Sequence, residues 1–402
     1  MDNQKTTIGV FFGSRSCEHD VSVITAIQLL KSINREKYNV VPVYISQKGV
    51  WYTGDKLLDI RTYTPFEEYN KALKTVQLDP VPGSGLLIHY DRTKNGLFHK
   101  GITEEIIARI ECAVPVFHGL HGEDGTIQGL FELADIPYTS TGICGSSVGM
   151  DKIAMKAFFA GCGFPVLPGA SLNRAEWDRD REACMDRIIA ETGLPVFVKP
   201  SCLGSSIGIS CAKDRAGLSE SLDTAFSFDR RVLIETALDK PAEVNCSVLG
   251  YEEDIRASVL EMPNIGSADF LDYNEKYIVG SKGMAGLRRK IPAPISAELT
   301  AEIQELSKKV FKALDCKGVV RIDYMLDRHS DRYYITEINT IPGSMAYYLW
   351  EASGLRYRDL IDKMIEFAMR AKEEKKRNSF AFESAILSSF KSAGTKSGKL
   401  KT

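Results

Sequence analysis

The run TIGVFFG at residues 7–13 is apolar throughout and closes on a glycine, the pattern of a strand buried on both faces. Over residues 21–31 the apolar positions shift to helical spacing, with Val21, Ile24, Ile27 and Leu30 near one face. A second strand follows at 39–45. Strand, glycine loop, helix and strand open an α/β fold. From 49 to 101 the pattern changes to Tyr, Lys and turn signals such as Pro82-Gly83-Ser84-Gly85 and Asn95-Gly96. This stretch reads as an insertion with a hairpin at about 86–98.

Residues 113–117 (AVPVF) form another short apolar strand, followed by a polar, glycine-containing segment at 118–126 and a helix from Ile127. A strand that ends in such a loop is where α/β folds place ligands. The pattern then predicts a helix at 150–162, a strand at 167–170, a charged helix at 178–191, and short strands at 196–198, 207–210 and 232–234. Residues 244–249 and 255–261 alternate like antiparallel strands. A long polar stretch at 266–293 reads as a loop of the length used for lids and binding loops. A helix at 296–314, strands at 319–326 and 333–337, and a closing helix at 356–372 complete the pattern. Beyond 372 the chain turns Lys- and Ser-rich and reads as a flexible tail, 373–402.

Composition narrows the function. The 402 residues are 44% hydrophobic and 26% charged, as in a globular protein with a sizeable core. Lys+Arg is 51 and Asp+Glu is 53, a net charge of -2 that favours neither nucleic acid nor a membrane surface. The N-terminus lacks the basic and apolar regions of a signal peptide, and no apolar run approaches the ~20 residues that span a bilayer. Nine scattered cysteines without a C-x-x-C pair suit a reducing cytoplasm, most of them as small buried apolar residues.

Four segments carry candidate chemistry. In RIDYM at 321–325 and EINT at 337–340, polar residues recur at period two on strands, so Arg321 with Asp323 and Glu337 with Asn339 each share a face. Two carboxylates and an amide oxygen make a hard-oxygen set suited to Mg²⁺; an ion-paired solvated face fits the same spacing. In KPSCLGSSIG at 199–208, a lysine at a strand end precedes a Gly/Ser loop whose N–H groups could approach phosphate, though the pattern is neither a Walker A loop nor G-x-G-x-x-G. HGLHGEDG at 118–125 reads either as a small-ligand loop or as a turn in which Glu123 and Asp124 serve the next helix N-terminus. The loop GSRSCEHD at 13–20 has the same two readings. A metal cluster of His19, His118 and His121 is the weaker reading of these histidines, given their glycine loops.

Together and in this order, these segments resemble the ATP-grasp ligases. The resemblance is carried by GSRSCEHDVS at 13–22, HGLHGEDGTIQG at 118–129, MDK at 150–152, VKPSCLGSSIG at 198–208, LIE at 233–235, DYNEKY at 272–277, RIDYML at 321–326 and EINTIPG at 337–343. The histidine–glycine segment and the EKY loop narrow it to the D-alanine–D-alanine ligase family, the D-Ala–D-X ligases, over roughly residues 7–370. The resemblance implies an α/β ATP-grasp fold with an N-terminal Rossmann-like domain at 1–140, a central subdomain at 141–238, and a C-terminal subdomain at 239–372 with its lid at 266–293.

What the family does is carried over motif by motif. Lys152 and Lys199 would bind the phosphates of ATP, Glu235 and Leu238 the adenine, Glu243 the ribose, and Met325 would pack on the adenine ring. Asp323, Glu337 and Asn339 would hold two Mg²⁺ or Mn²⁺ ions. Glu18 would pair with the ammonium of the first D-alanine, flanked by Val21 and His118. Ser205 and Tyr277 would link with Glu18, and Lys276 would reach the transferred phosphate and the second substrate's carboxylate. Arg321 and the Gly343 N–H would form an oxyanion hole. The implied reaction joins two D-alanines through a D-alanyl phosphate for peptidoglycan precursors, in a cytoplasmic homodimer.

One departure stands out. Where the family has a Ser-rich stretch after Pro342-Gly343, this chain reads SMAYYLWEASG. Ser344, Tyr347 and Tyr348 are then the candidates for the second substrate's carboxylate. D-serine and, less so, D-lactate stay open as acceptors beside D-alanine, with Tyr277 favouring D-alanine over D-lactate.

Overall fold

The computed structural model describes residues 5–91, 102–263, 289–330 and 332–380. Its first sheet runs in the order Lys74–Thr75, Trp51–Thr53, Tyr38–Ile45, Thr6–Gly13, Cys112–Pro115. Thr6–Gly13 lies parallel to both neighbours, as its uninterrupted apolar run requires. The helix His19–Ser32 returns the chain between the first two strands. Gly13 turns out of the strand at φ 95°, and a Cβ there would lie 2.2 Å from the Ile45 carbonyl oxygen. Only glycine lets the loop at 13–20 leave so close to the neighbouring strand.

The insertion is more integrated than its composition suggests. Trp51–Thr53 and Lys74–Thr75 extend this sheet antiparallel. A separate three-stranded sheet pairs Leu86–Asp91 with Gln77–Leu78 and with Thr103–Arg109. The hairpin partner therefore comes later than the expected 98, at residues whose run of Thr, Glu and Ile carries little alternation. Residues 92–101 lie outside the described residues.

A four-stranded antiparallel sheet follows, in the order Ser210–Ala212, Val196–Pro200, Arg231–Thr236, Gly169–Asn173. Helices Arg181–Thr192 and Arg215–Phe228 cover it over a core of Ile188, Val196, Val198, Leu218, Leu222 and Ile234. A five-stranded antiparallel sheet is ordered Arg289–Lys290, Asp254–Pro263, Ala242–Tyr251, Gly318–Leu326, Tyr333–Asn339, with helix Ala297–Ala313 on one face.

The closing helix Tyr357–Lys375 binds the two ends of the molecule together. Its Leu360, Ile361, Met364, Ile365 and Phe367 share one core with Ile8, Val10 and Phe12 of the first sheet and Leu249 and Val319 of the five-stranded sheet. Each such side chain contributes roughly 1.5–3 kcal/mol when fully buried.

Several expected elements shift or split for identifiable reasons. The helix expected at 150–162 is Lys152–Gly161, and an unpredicted helix, Ile143–Met150, ends just before it, because the Asp151 carboxylate leaves helical geometry to accept from the N–H groups of Ile153 and Ala154. The helix expected at 178–191 divides into Arg174–Arg179 and Arg181–Thr192, with Asp180 capping Ala183 N–H. The strand placed at 207–210 begins only at Ser210, because Ser205, Ser206 and Gly208 all take positive φ and cannot join a ladder. The strand placed at 167–170 is Gly169–Asn173. Of the nine cysteines four are buried, while Cys17, Cys144 and Cys162 are exposed, so burial accounts for fewer of them than expected.

Gly318 starts the strand that carries Arg321 and Asp323. It sits at φ 79°, and an added Cβ would lie 2.0 Å from the Thr139 carbonyl oxygen. Gly318→Ala is therefore expected to cost more than about 2 kcal/mol, read as a lower urea midpoint with the slope unchanged. A midpoint equal to that of the parent chain would show that the backbone moves aside freely.

Candidate active site

The period-two residues meet in a row that crosses four strands. Glu261, Asn245, Asp323 and Glu337 are successive cross-strand partners, so all four project from one face of the five-stranded sheet. One step along, Ser247, Arg321 and Asn339 form a second row, and Glu243 lies opposite Met325. The Arg321 guanidinium grips Asp323 through two bonds, Nε to Oδ1 at 2.6 Å and Nη2 to Oδ2 at 2.7 Å. Asn339 Nδ2 adds a third bond to Asp323 at 3.0 Å.

This row carries more negative charge than Arg321 neutralises. Burial raises the Asp323 carboxyl to about 7; Arg321 opposes that rise, and Glu337 and Glu243 add to it. Burial works against the charge on Arg321 too, but the contact with Asp323 outweighs it and holds the guanidinium well above its usual range. Asn245 donates to Glu243 and Glu261, while its Oδ1 is buried without a protein partner. Glu261 is already paired with Arg289 at 2.7 Å, but Asp323, Glu337 and Glu243 beside an orphaned amide oxygen fit a hard divalent cation whose remaining positions go to phosphate and water. Among the described residues no three His, Cys, Asp or Glu side chains converge as a complete metal cage.

Of the nucleotide-type residues, Lys152 reaches this row. Lys152 is buried, donates to the Leu203 carbonyl at 2.5 Å, and lies 4.0 Å from Glu337. Asp151 positions it by capping the helix and accepting from Ser201 Oγ at 2.7 Å. Lys199 Nζ pairs with Glu235 at 2.5 Å, and Lys156 pairs with the other oxygen of the same carboxylate. Burial would raise the Glu235 carboxyl, but the two lysines outweigh it and hold it below its usual range. Lys199 and Glu235, expected on phosphate and adenine, are thus ion-paired here, and both roles require that pair to open. Leu238 and Met325 are half-buried.

The loop at 201–208 closes on the N-terminal loop. Ser205 Oγ donates to Glu18, itself buried, and a Cβ on Gly204 would lie 2.5 Å from a Glu18 carboxylate oxygen. Val21 is buried on the helix that starts beside Glu18. The expected partners Lys276 and Tyr277, and most of the 266–293 lid, lie outside the described residues.

The HGLHGEDG loop locks onto the turn after Asn339. His118 Nδ1 lies 2.9 Å from the Ile341 carbonyl, and Nε2 lies 2.9 Å from Thr25 Oγ1. A carbonyl only accepts, so Nδ1 carries the proton, and burial pushes the ring down to about 4 and keeps it neutral. Both ring nitrogens are thereby occupied by protein. Glu123 accepts from the Gly119 N–H at 3.1 Å and the Ile341 N–H at 2.9 Å, so it braces this turn instead of capping a helix. Burial, with the charge of Glu18, raises its carboxyl to about 8. His19 is committed elsewhere, to the Ser14 carbonyl and Tyr44.

After Pro342, Gly343 opens a turn in which Ser344 is buried. Tyr347 stacks on Tyr357 with centroids 4.5 Å apart. Tyr348 donates to Glu261 at 2.8 Å, beneath the Arg289 guanidinium at 4.0 Å. Sequence reasoning missed Thr25, Lys156, Asn245, Glu261 and Arg289. Lys156 was within reach, one helical turn from Lys152; the others needed the strand register or distant partners.

Family models for the D-ala D-ala ligase N-terminus and C-terminus match residues 7–141 and 158–366. A D-alanine–D-alanine ligase from Acetivibrio thermocellus is 40% identical over 372 residues, 91% of this chain and 96% of that protein. One from Thermosipho melanesiensis is 38% identical over 369 residues, 92% of this chain and 95% of that protein. Among solved structures, a D-Ala:D-Ser ligase from Enterococcus faecalis superposes with a TM-score of 0.73 at 30% identity, covering 91% of this chain and 100% of that one.

The buried histidine makes stability depend on pH. Its pKa is about 4 in the fold against an ordinary ~6.5, so between these values the unfolded chain binds the extra proton. Stability should therefore fall as pH drops from 6.5 to 4, by up to about 3 kcal/mol from this group. Glu123 acts in the opposite sense, contributing stability that is present below its ordinary pKa and lost as pH rises through about 8. His118→Gln does not titrate, so its urea midpoint should drop less on acidification than that of the parent. Equal drops would remove His118 from the account.

Proposed function

The chain belongs to the D-alanine–D-alanine ligase family, and from that membership we propose the reaction of this site: ATP-dependent joining of two D-alanines for cell-wall precursor synthesis. The observation that supports it most directly is the contact of Ser205 with Glu18. It sets Glu18 against the loop that follows Lys199, which supports a reading in which the amino acid held by Glu18 meets the nucleotide phosphates held by that loop.

In this reading Glu18 holds the ammonium of the first D-alanine, beside Val21 and His118. The alanine's carboxylate oxygen attacks the terminal phosphorus of ATP, ADP leaves, and a D-alanyl phosphate forms. Lys152 and Lys199 meet the phosphates, with Lys276 as a further cation from the lid; Glu235, Leu238, Glu243 and Met325 hold the nucleoside. Asp323, Glu337 and Asn339 would hold two Mg²⁺ or Mn²⁺ ions, which when bound neutralise charge on the phosphates. The amine of the second D-alanine then attacks the acyl carbon, sheds a proton and displaces phosphate. Arg321 and the Gly343 N–H face the oxyanion that develops. The lid, which Tyr277 would link to Glu18 and Ser205, would exclude water that otherwise hydrolyses the acyl phosphate.

The same reading has the enzyme working in the cytoplasm as a homodimer. No described helix is long and apolar enough to cross a membrane.

The deciding assay is phosphate release from ATP with Mg²⁺ and D-alanine alone, with the product identified by mass. D-alanyl-D-alanine is the expected product. Release only after D-serine is added would keep the mechanism and change the acceptor. Glu337→Gln is expected to cut turnover by no less than the ~10–100-fold typical of outer groups behind a metal. Near-parental turnover would displace the cations from this row.

A further inference from the structure

The turn that carries Gly343 is strained. Ser344, Met345 and Ala346 take φ of 53°, 53° and 48° in succession, and none is glycine. Such residues persist only where their surroundings over-determine them. Inside the turn, Met345 N–H bonds to the Pro342 carbonyl at 2.8 Å. The outside restraint comes from the first helix of the chain, where Thr25 Oγ1 accepts from the Ser344 N–H at 3.2 Å.

The proton arrangement of this contact is determined. His118 donates from Nδ1 to the Ile341 carbonyl, so its bare Nε2 accepts. The Thr25 hydroxyl therefore donates to Nε2, which leaves its oxygen to accept from Ser344. The chain of bonds begins at Ile341 and ends at Ser344, and so brackets Pro342 and Gly343 from both sides. Glu123 fixes the outer end through the Ile341 N–H. Thr25 is 1% exposed, so water cannot replace it.

We propose that Thr25 is a positioning residue for the acyl-transfer step: through the Ser344 amide and His118 it aims the Gly343 N–H at the developing oxyanion. The proposal rests on the reaction given above and deepens it. It assigns the second chemical step, and not the first, to a hydroxyl on the helix that flanks the first alanine.

Thr25→Val keeps the shape and removes both bonds; Thr25→Ser keeps them. Dipeptide synthesis reports both steps. Scrambling of an oxygen isotope label within ATP, in the presence of D-alanine, reports reversible phosphoryl transfer alone. Thr25→Val is expected to lower kcat for the dipeptide at least ~10-fold, short of the ~10²–10³ for outright loss of an oxyanion donor. KM for the first alanine and the scrambling rate should stay within about twofold to threefold of the parent, and Thr25→Ser should restore kcat. Parental kcat in Thr25→Val overturns the proposal. So does an equal fall in scrambling and synthesis with a lower urea midpoint, which would mean a structural role only. A parent enzyme that makes no dipeptide from D-alanine, with or without D-serine, overturns both this proposal and the reaction beneath it; a parent that makes dipeptide, with Thr25→Val unaffected, overturns the proposal alone.

Discussion

The site depends on the N-terminal and five-stranded sheets sharing one apolar core. Glu18, Thr25 and His118 belong to the first sheet's loops and helix, while Arg321, Asp323, Glu337 and Gly343 belong to the other sheet and its exit. No hydrogen bond between them could survive independent motion of the two sheets, because bonds of about 1 kcal/mol do not hold domains against solvent. The helix Tyr357–Lys375 supplies the restraint by filling the space between both sheets with Leu360, Ile361, Met364 and Ile365. Within that frame, polar contacts add direction instead of cohesion. The Ile341–His118–Thr25–Ser344 bracket and the Glu123 brace each use neutral or partly neutralised groups, which suits a buried seam.

Much of this was legible in the sequence where a single periodicity decides. The run at 7–13 could only be a buried strand, and the paired polar positions at 321/323 and 337/339 announced a common face. The resemblance to ATP-grasp ligases rested on the same segments and pointed to the family the comparisons identify. Other features were legible in principle and missed. Asp151, Asp180 and Asp214 each cap a helix start, and Leu218, Leu222 and Ala225 recur at helical spacing in a helix that went unread.

What could not be read is whatever depends on register or on distant partners. Asn245 and Glu261 sit on strands whose neighbours are apolar, and they join the row only because four strands align at one level. Thr25 looks like one more position on an amphipathic helix, since its partners lie 93 and 319 residues away. Glu123 was weighed as a helix-capping residue because local rules see only the next turn; its long-range bond to Ile341 gives it a different task.

The shared core also has a consequence for biosynthesis. A ribosome delivers Ile8, Val10 and Phe12 long before Leu360 and Ile361, which complete the same core. Until that last helix emerges, the nascent first sheet keeps an apolar face open to water and to other chains. Premature termination anywhere before residue 357 would therefore leave a sticky intermediate instead of a smaller working enzyme. The need to keep that face from aggregating falls on whatever shields the polypeptide during translation.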